Sequence, residues 1–334
     1  MACSLLHIGE ERRFMFSTLH RGWQNLLIWL ARNERLKAVS ESSVTTARLV
    51  ERYIGGPTTK AGVSRATGLR RVRLSSSMFF LGEYVRDEAT VSETVESILD
   101  LVRLTVSASL DTHISVDPTA IGYSLSPALC ERNALRIAQA IQSQNKTRPG
   151  RHCLMLDMED LSLVDYTIDL HNKFLESGLP VALTLQAYLF RTEEDVKKEI
   201  LKGSAVRLVK GAFAEGRRVA YQSQREIGRQ YLQLARLMLT GATSSPHFYP
   251  IFGTHNEELQ KKIILMAEEL GLSADRFEFE MLLGVRPELA LRLSERGFQV
   301  RIYVPCGRDW WGYVNRRIGE SPRNALLLLR AICS

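Results

Sequence analysis

The chain has 334 residues, of which 45% are hydrophobic and 24% are charged, and its formal net charge is +7. This composition excludes a low-complexity or disordered chain, and the length suits one large barrel domain or two smaller domains. The basic residues are spread along the chain and do not alternate with aromatic residues, so we expect a solvated basic surface and no nucleic-acid partner.

The cysteines and histidines give no sign of a disulfide framework or a metal site. The five cysteines are scattered without a CxxC pair, and the seven histidines form neither an HExxH nor an HxH motif. We therefore predict reduced thiols, no metal and a cytoplasmic location. The most apolar stretch near the start, residues 23–31, is too short to span a bilayer. The net positive charge is compatible with peripheral contact with an anionic membrane surface.

Helix start and stop signals recur along the chain and divide it into short elements. The predicted starts are a capping box at Thr90-x-x-Glu93, Ser126-Pro127, Ser162-x-x-Asp165, and Thr192 ahead of three acidic residues. Gly178 and Gly203 are predicted to end two of these helices. Further helices are predicted over residues 217–240, 256–270, 287–296 and 310–319.

Short apolar runs of strand length lie between these helices. They cover residues 73–80, 113–116, 153–156, 181–185, 206–209, 249–252, 277–282 and 300–304. Eight strands, each followed by a helix, predict an α/β fold of the closed (β/α)8 TIM-barrel type. A doubly wound sheet is the alternative, but no GxGxxG motif follows the early strands. We predict a helical N-terminal segment over residues 1–65 and the barrel over residues 66–334.

Polar residues follow most of the predicted strands, which is where a (β/α)8 barrel places its active site. These segments are Gly82-Glu83, Asp117, Asp157-Met158-Glu159, Gln186, Lys210-Gly211-Ala212-Phe213, Gly253-Thr254-His255-Asn256, Leu283-Gly284 and Pro305-Cys306-Gly307. Such a mouth indicates a binding site for a large polar ligand. Asp157 and Glu159 could instead cap the helix that is predicted to begin near Leu161.

The segment after the last strand, residues 303–320, carries the most informative spacing. Tyr313, either Arg316 or Arg317, and Glu320 share one side of a helix, with Glu320 four and three residues after the two arginines. An exposed pair of this kind is worth a few tenths of a kcal/mol and needs no function. Beside a barrel mouth, however, two adjacent guanidiniums can hold one carboxylate in a forked geometry.

Seven motifs at successive strand ends resemble those of the proline dehydrogenase family. They are Ile114-Ser-Val-x-Pro-Thr, Asp157-Met-Glu, Leu185-Gln-Ala-Tyr-Leu, Val206-Arg-Leu-Val-Lys-Gly-Ala, Gly253-Thr-His-Asn, Phe277-Glu-Phe, and Tyr303-Val-Pro-x-Gly with Arg316-Arg317-x-x-Glu320. The resemblance runs from about Leu81 to Pro322. It implies a barrel that holds FAD and an enzyme that oxidises proline or a proline-like cyclic amino acid to a cyclic imine.

The resemblance also implies roles for particular residues. Arg316 and Arg317 would bind the substrate carboxylate with support from Glu320, Tyr303 would wall the substrate ring, and Asp157 would lie on the substrate side. Arg207 would lie near flavin N5, the hydride acceptor, where a cation stabilises the reduced anionic flavin. The positions implied to contact FAD, besides Arg207, are Gln186, Lys210, Gly211, Ala212, Thr254, His255 and Asn256. The electron acceptor, a quinone or oxygen, is left open.

Three positions depart from the family pattern. Asp117 stands where the family usually has a lysine that helps to hold the substrate carboxylate, Phe213 replaces a tyrosine, and Cys306 replaces a residue that is often tyrosine. Compared with lysine, Asp117 changes the local charge by two. We therefore expect Asp117 to contact the substrate and to select a cyclic amine other than free L-proline. A non-catalytic barrel of the same family is the alternative. A cofactor-free lyase or aldolase with Lys210 as a Schiff-base nucleophile is a third hypothesis.

Overall fold

A computed structural model describes residues 51–82, 85–310 and 313. Ile54–Gly307 form one compact unit, and the described residues 51–53, 308–310 and 313 belong to a second one. Within the first unit eight strands close into a parallel barrel in the order of the sequence. The predicted (β/α)8 fold is therefore confirmed. The predicted division between residues 65 and 66 stays a prediction.

The strands match the predicted runs to within one or two residues at each end. They are β1 Ser75–Phe80, β2 His113–Val116, β3 Cys153–Leu156, β4 Val181–Gln186, β5 Ala205–Val209, β6 Tyr249–Gly253, β7 Glu278–Leu282 and β8 Gln299–Cys306. Gln186, Gly253 and Cys306, which we predicted to follow their strands, are the last residues within them. The barrel closes where β8 pairs with β1 over six residue pairs, from Ser75–Arg301 to Phe80–Cys306.

Helices pack around the strands. In the described part of the chain they are α1 Thr59–Arg70, α2 Glu88–Ser107, α3 Pro127–Asn145, α4 Val164–Glu176, α5 Thr192–Lys202, α6 Gln224–Ser244, α7 Glu257–Glu269 and α8 Pro287–Glu295. The predicted helix over residues 310–319 and residues 1–50 of the predicted N-terminal segment lie outside the described residues, apart from Trp310 and Tyr313.

Three predicted helix starts are wrong, and in two of them, α2 and α6, a different side chain caps the helix. Asp87, not Thr90, is the N-cap of α2, and it accepts a hydrogen bond from the Thr90 amide. Asp160 caps a short 3-10 turn, Leu161–Leu163, which precedes α4. The third helix, α6, begins seven residues later than predicted, at a reciprocal capping box between Ser223 and Glu226.

The barrel has an apolar outside, and its inside carries both charged and apolar side chains. Alternate strand residues point to opposite faces, and the outward set packs against the helices in one continuous apolar core. Branched apolar residues usually fill the inside of such a barrel. Here the inside carries two arginines, Arg207 and Arg301, both buried. Near the amino ends of the strands Arg301 bonds both carboxylate oxygens of Glu278, at 2.7 and 3.2 Å.

Two properties of the described residues bear on membrane and metal binding. No helix among them is both long and apolar enough to cross a membrane. Within the same residues no group of three or more His, Cys, Asp or Glu side chains is arranged to hold a metal ion.

Gly203 provides a test of whether the carboxyl end of α5 needs a residue in the left-handed conformation. It lies after α5 with φ +70°, and a Cβ on it would meet the Cβ of His247 at 2.9 Å. We expect Gly203→Ala to lower the free energy of unfolding by about 1–2 kcal/mol, since an L side chain is strained in this conformation. Urea unfolding measures the change.

Gly68→Ala is the matched control. Gly68 is in α1, and a Cβ there would meet nothing within 4 Å. We expect this variant to gain up to about 1 kcal/mol because alanine favours a helix. Equal effects of the two substitutions would contradict the conformational argument.

Candidate functional site

The site is built around the buried guanidinium of Arg207, which β5 directs into the barrel. One terminal nitrogen donates to Oδ1 of Asp157, the residue after β3, and to Oγ1 of Thr184 at 2.8 Å. The other donates to Oε1 of Glu280 at 3.1 Å and to Oγ of Ser115 at 3.4 Å. Arg207 thus ties together β2, β3, β4, β5 and β7.

Tyr303 joins this cluster from β8. Its hydroxyl donates to Oδ2 of Asp157 at 2.8 Å, so the two oxygens of that carboxylate are held by different partners. The guanidinium carbon of Arg207 lies 5.4 Å from the centroid of the Tyr303 ring. Three of the predicted site residues are therefore brought together.

The charges in this cluster alter one another's protonation. Burial raises the pKa of Asp157 above its ordinary value, although the charge of Arg207 and the hydrogen bond from Tyr303 oppose the rise. Burial would lower the pKa of Arg207, but the carboxylates of Asp157 and Glu280 more than reverse this. Arg207 is therefore a permanent cation. Burial, together with the charges of Asp157 and Asp117, raises the pKa of Tyr303, which stays a phenol.

The ends of β4 and β5 offer groups for a further ligand. The amide nitrogen of Gln186 donates to the carbonyl oxygen of Glu159 at 3.2 Å, whereas its buried Oε1 has no hydrogen-bond partner among the described residues. Lys210 is half-buried, and burial lowers its pKa. Gly211 has φ +104° and lies against Tyr188, with whose ring a Cβ would overlap at 2.1 Å. Ala212 is exposed.

The end of β6 is tied to β7 and α7. The Thr254 amide donates to the carbonyl oxygen of Glu280 at 3.2 Å. Nε2 of His255 accepts from the Leu282 amide at 2.7 Å. Oδ1 of Asn256 accepts from the amides of Glu258 and Leu259, which makes Asn256 the N-cap of α7. This turn is therefore held in place from both sides.

The remaining predicted positions have different outcomes. Asp117 is half-buried after β2, and its charge acts on Tyr303. The alternative that Asp157 and Glu159 cap the following helix is wrong, because Glu159 accepts from the hydroxyl of Thr119 at 2.6 Å and Asp160 provides the cap. Arg316, Arg317 and Glu320 lie outside the described residues, as does Glu83.

Several polar residues inside the strands were not predicted as site residues. Glu280, Thr184, Ser115 and Ser77 all contribute to the network around Arg207. The sequence does carry a signal for Glu280, because Glu278 and Glu280 are two residues apart in one strand and must point to the same face. Two glutamates on one face of a buried strand indicate a polar interior.

A (β/α)8 barrel with a buried charged cluster at the carboxyl ends of its strands defines an enzyme of the barrel class. The chain belongs to the proline dehydrogenase family, whose model matches residues 63–326. It is accordingly an oxidoreductase. Proline dehydrogenase 1 of Bacillus subtilis subsp. natto is 30% identical over 309 residues, 92% of this chain and 98% of the relative. The proline dehydrogenase of Deinococcus radiodurans is 29% identical over 286 residues, 85% of this chain and 90% of the relative.

Solved structures share the fold at low identity. Proline utilization A from Bdellovibrio bacteriovorus, inactivated by N-propargylglycine, aligns with a TM-score of 0.73 and 19% identity. The alignment covers 88% of this chain and 37% of that protein. Proline utilization A from Corynebacterium freiburgense aligns with a TM-score of 0.71 and 17% identity over 92% of this chain and 34% of that one. The chain spans about a third of the length of these proteins, and the likeness supports the fold alone.

The hydrogen bond from Tyr303 to Asp157 provides a test of the cluster. We expect Tyr303→Phe to lower the free energy of unfolding by about 2 kcal/mol, because a buried carboxylate loses its donor. Chemical denaturation of the ligand-free protein measures this. Tyr231→Phe is the control, since that hydroxyl donates to the neutral carbonyl of Leu208 at 3.0 Å and should be worth about 1 kcal/mol. A loss in Tyr303→Phe no larger than in the control would count against a charged partner.

Proposed function

We propose that the chain is a flavoenzyme that oxidises proline or a proline-like cyclic amino acid to a cyclic imine. The observation that carries the proposal is the buried cluster of Arg207, Asp157 and Tyr303 at the carboxyl ends of the strands. In a member of this family, that cluster lies where a barrel enzyme carries out its chemistry. The cytoplasmic location, peripheral membrane contact and a quinone or oxygen as electron acceptor stay predictions.

FAD is the proposed cofactor, and the polar groups at the ends of β4, β5 and β6 suit it. The unpaired, buried Oε1 of Gln186 is an acceptor of the kind that an N–H of the flavin pyrimidine ring needs. The ammonium of Lys210 is half-buried without an ion-pair partner among the described residues, as suits a site for phosphate oxygens. Gly211, Ala212, Thr254, His255 and Asn256 complete the proposed cofactor side.

In this proposal FAD supplies a hydride acceptor at N5, and the protein binds and orients the substrate. Asp157 offers a negative charge to a secondary ammonium, while Tyr303, held by Asp157, fixes one wall of the site. Arg207 provides the buried cation of the site. Arg316 and Arg317, supported by Glu320, are proposed to hold the substrate carboxylate.

Asp117 is proposed to select the substrate. It adds a negative charge near Tyr303, whose hydroxyl is already bonded to Asp157. A carboxylate close to Asp117 is disfavoured by repulsion, whereas a cationic or hydrogen-bond-donating substituent on the ring is favoured. We therefore propose a cyclic amine other than free L-proline as the preferred substrate.

Flavin content and bleaching test the function. We expect the purified protein, reconstituted with FAD if necessary, to show bound-flavin absorbance that a cyclic amine bleaches under anaerobic conditions. A stopped-flow panel of L-proline and substituted prolines ranks the substrates by rate of flavin reduction. L-proline as the best substrate would overturn the proposed selectivity, and failure to bind FAD would overturn the proposed function. A covalent adduct trapped on Lys210 by borohydride would point to the lyase hypothesis instead.

Asp117→Lys tests the charge argument directly. Because the substitution changes the local charge by two, we expect kcat/KM for L-proline to rise about tenfold or more. Asp117→Asn, which removes one charge, should give a smaller gain. Steady-state kinetics of both variants measure the effect, and an unchanged or lower kcat/KM in the lysine variant would contradict it.

A further inference from the structure

Glu280 is a buried carboxylate with one paired oxygen and one unpaired oxygen. Oε1 accepts from the hydroxyl of Ser77 at 2.5 Å and from Arg207 at 3.1 Å. Oε2 is buried and has no hydrogen-bond partner among the described residues. Buried carboxylate oxygens normally have donors. The charge of Glu280 is therefore less quenched than its burial would lead one to expect.

Glu278 provides an internal comparison, because it precedes Glu280 by two residues and points to the same face of β7. Both of its oxygens are held by Arg301, at 2.7 and 3.2 Å, and the hydroxyl of Tyr249 lies 3.5 Å from Oε2. Asp111, the second carboxylate on Arg301, retains side-chain exposure of 22% and is partly solvated. The charge near the amino ends of the strands is thus well compensated.

The cluster around Arg207 is not compensated in this way. One guanidinium faces two carboxylates, Asp157 and Glu280, and both are buried. The raised pKa of Arg207 keeps it charged, and this one cation is shared between two buried carboxyl groups. An arginine that is paired with two carboxylates is held in a fixed position, but the carboxylates offset its positive field at a neighbouring ligand.

We propose that Glu280 is a positioning residue that fixes Arg207 and also makes the flavin harder to reduce until a cationic substrate is bound. The inference rests on the proposed function and on the family resemblance, which implies that Arg207 would lie near flavin N5. A reduced, anionic flavin is stabilised by positive charge and destabilised by negative charge nearby. The secondary ammonium of a substrate supplies the positive charge that the cluster lacks. When it has given up one N–H proton to water and a hydride to the flavin, the iminium that remains keeps that positive charge in the site. Flavin reduction is thereby favoured when substrate occupies the site.

Glu280→Gln tests the proposal because glutamine keeps the shape and an acceptor oxygen for Ser77 and Arg207 but removes the charge. The measurement is the reduction potential of the bound flavin without substrate. We expect this potential to become more positive by about 30 mV. For a two-electron couple, that shift corresponds to a tenfold higher ratio of reduced to oxidised flavin. Glu278→Gln, the control, removes the same charge where Arg301 is also held by Asp111, and should give less than half of that shift.

Ser77→Ala is the second variant and should act in the opposite direction. It removes the donor to Oε1 and leaves the Glu280 carboxylate less quenched, so the potential should become more negative. This small substitution also keeps the proposal testable if Glu280→Gln does not fold. As a second readout, sulfite adds to flavin N5 and leaves negative charge on the flavin, so the glutamine variant should bind sulfite more tightly than the wild type.

The outcomes separate this inference from the proposed function. A wild-type protein that cannot bind FAD overturns the function. A wild type that binds FAD and is bleached by a cyclic amine, with unchanged potentials in Glu280→Gln and Ser77→Ala, overturns the inference alone. Equal shifts in Glu280→Gln and Glu278→Gln would also overturn it, because a general loss of barrel charge would then explain both.

Discussion

The ion pairs of Arg207 are the interactions on which the half of the barrel nearer the carboxyl ends of the strands depends. A single guanidinium donates hydrogen bonds to side chains of four other strands or strand ends, namely Ser115, Asp157, Thr184 and Glu280. A buried charge of this kind is strongly destabilising if one partner is removed, because the other charge is left in a low-dielectric interior. The contacts that link these strands inside the barrel therefore also fix the geometry of the candidate site. Structure and chemistry share one set of side chains.

Much of the fold could be predicted from the sequence because the outward face of each strand is apolar. β5, β7 and β8 contain Arg207, Glu280 and Arg301, yet the alternating outward residues pack into the core and preserve an apolar run. Which residues meet inside the barrel could not be predicted, since it depends on the stagger between strands. Glu280 and Ser77 are 203 positions apart in sequence, and no local pattern connects them. Two helix starts were predicted at the wrong residue, because Asp87 caps α2 in place of Thr90 and Asp160 caps the 3-10 turn before α4.

Three residues that the family resemblance singled out meet in the structure. Asp157 follows β3, whereas Arg207 and Tyr303 lie within β5 and β8. Asn256 has a structural role as the N-cap of α7 as well as a proposed one at the cofactor. Charge is what distinguishes this site. Asp157 and Glu280 both pair with Arg207, and the charges of Asp117 and Asp157 both act on Tyr303.

The pairing of β8 with β1 has a consequence for how the chain acquires this structure. Arg301 donates to the carbonyl oxygen of Ser76 at 2.9 Å across 225 positions of sequence. Until the ribosome has released β8, the edges of β1 and β7 remain open and Glu278 has no guanidinium. Contacts of such long range slow folding and expose unpaired edges to aggregation. Barrel closure is thus a late event in biogenesis, and a truncation before residue 299 would leave both an open sheet and a buried charge without its partner.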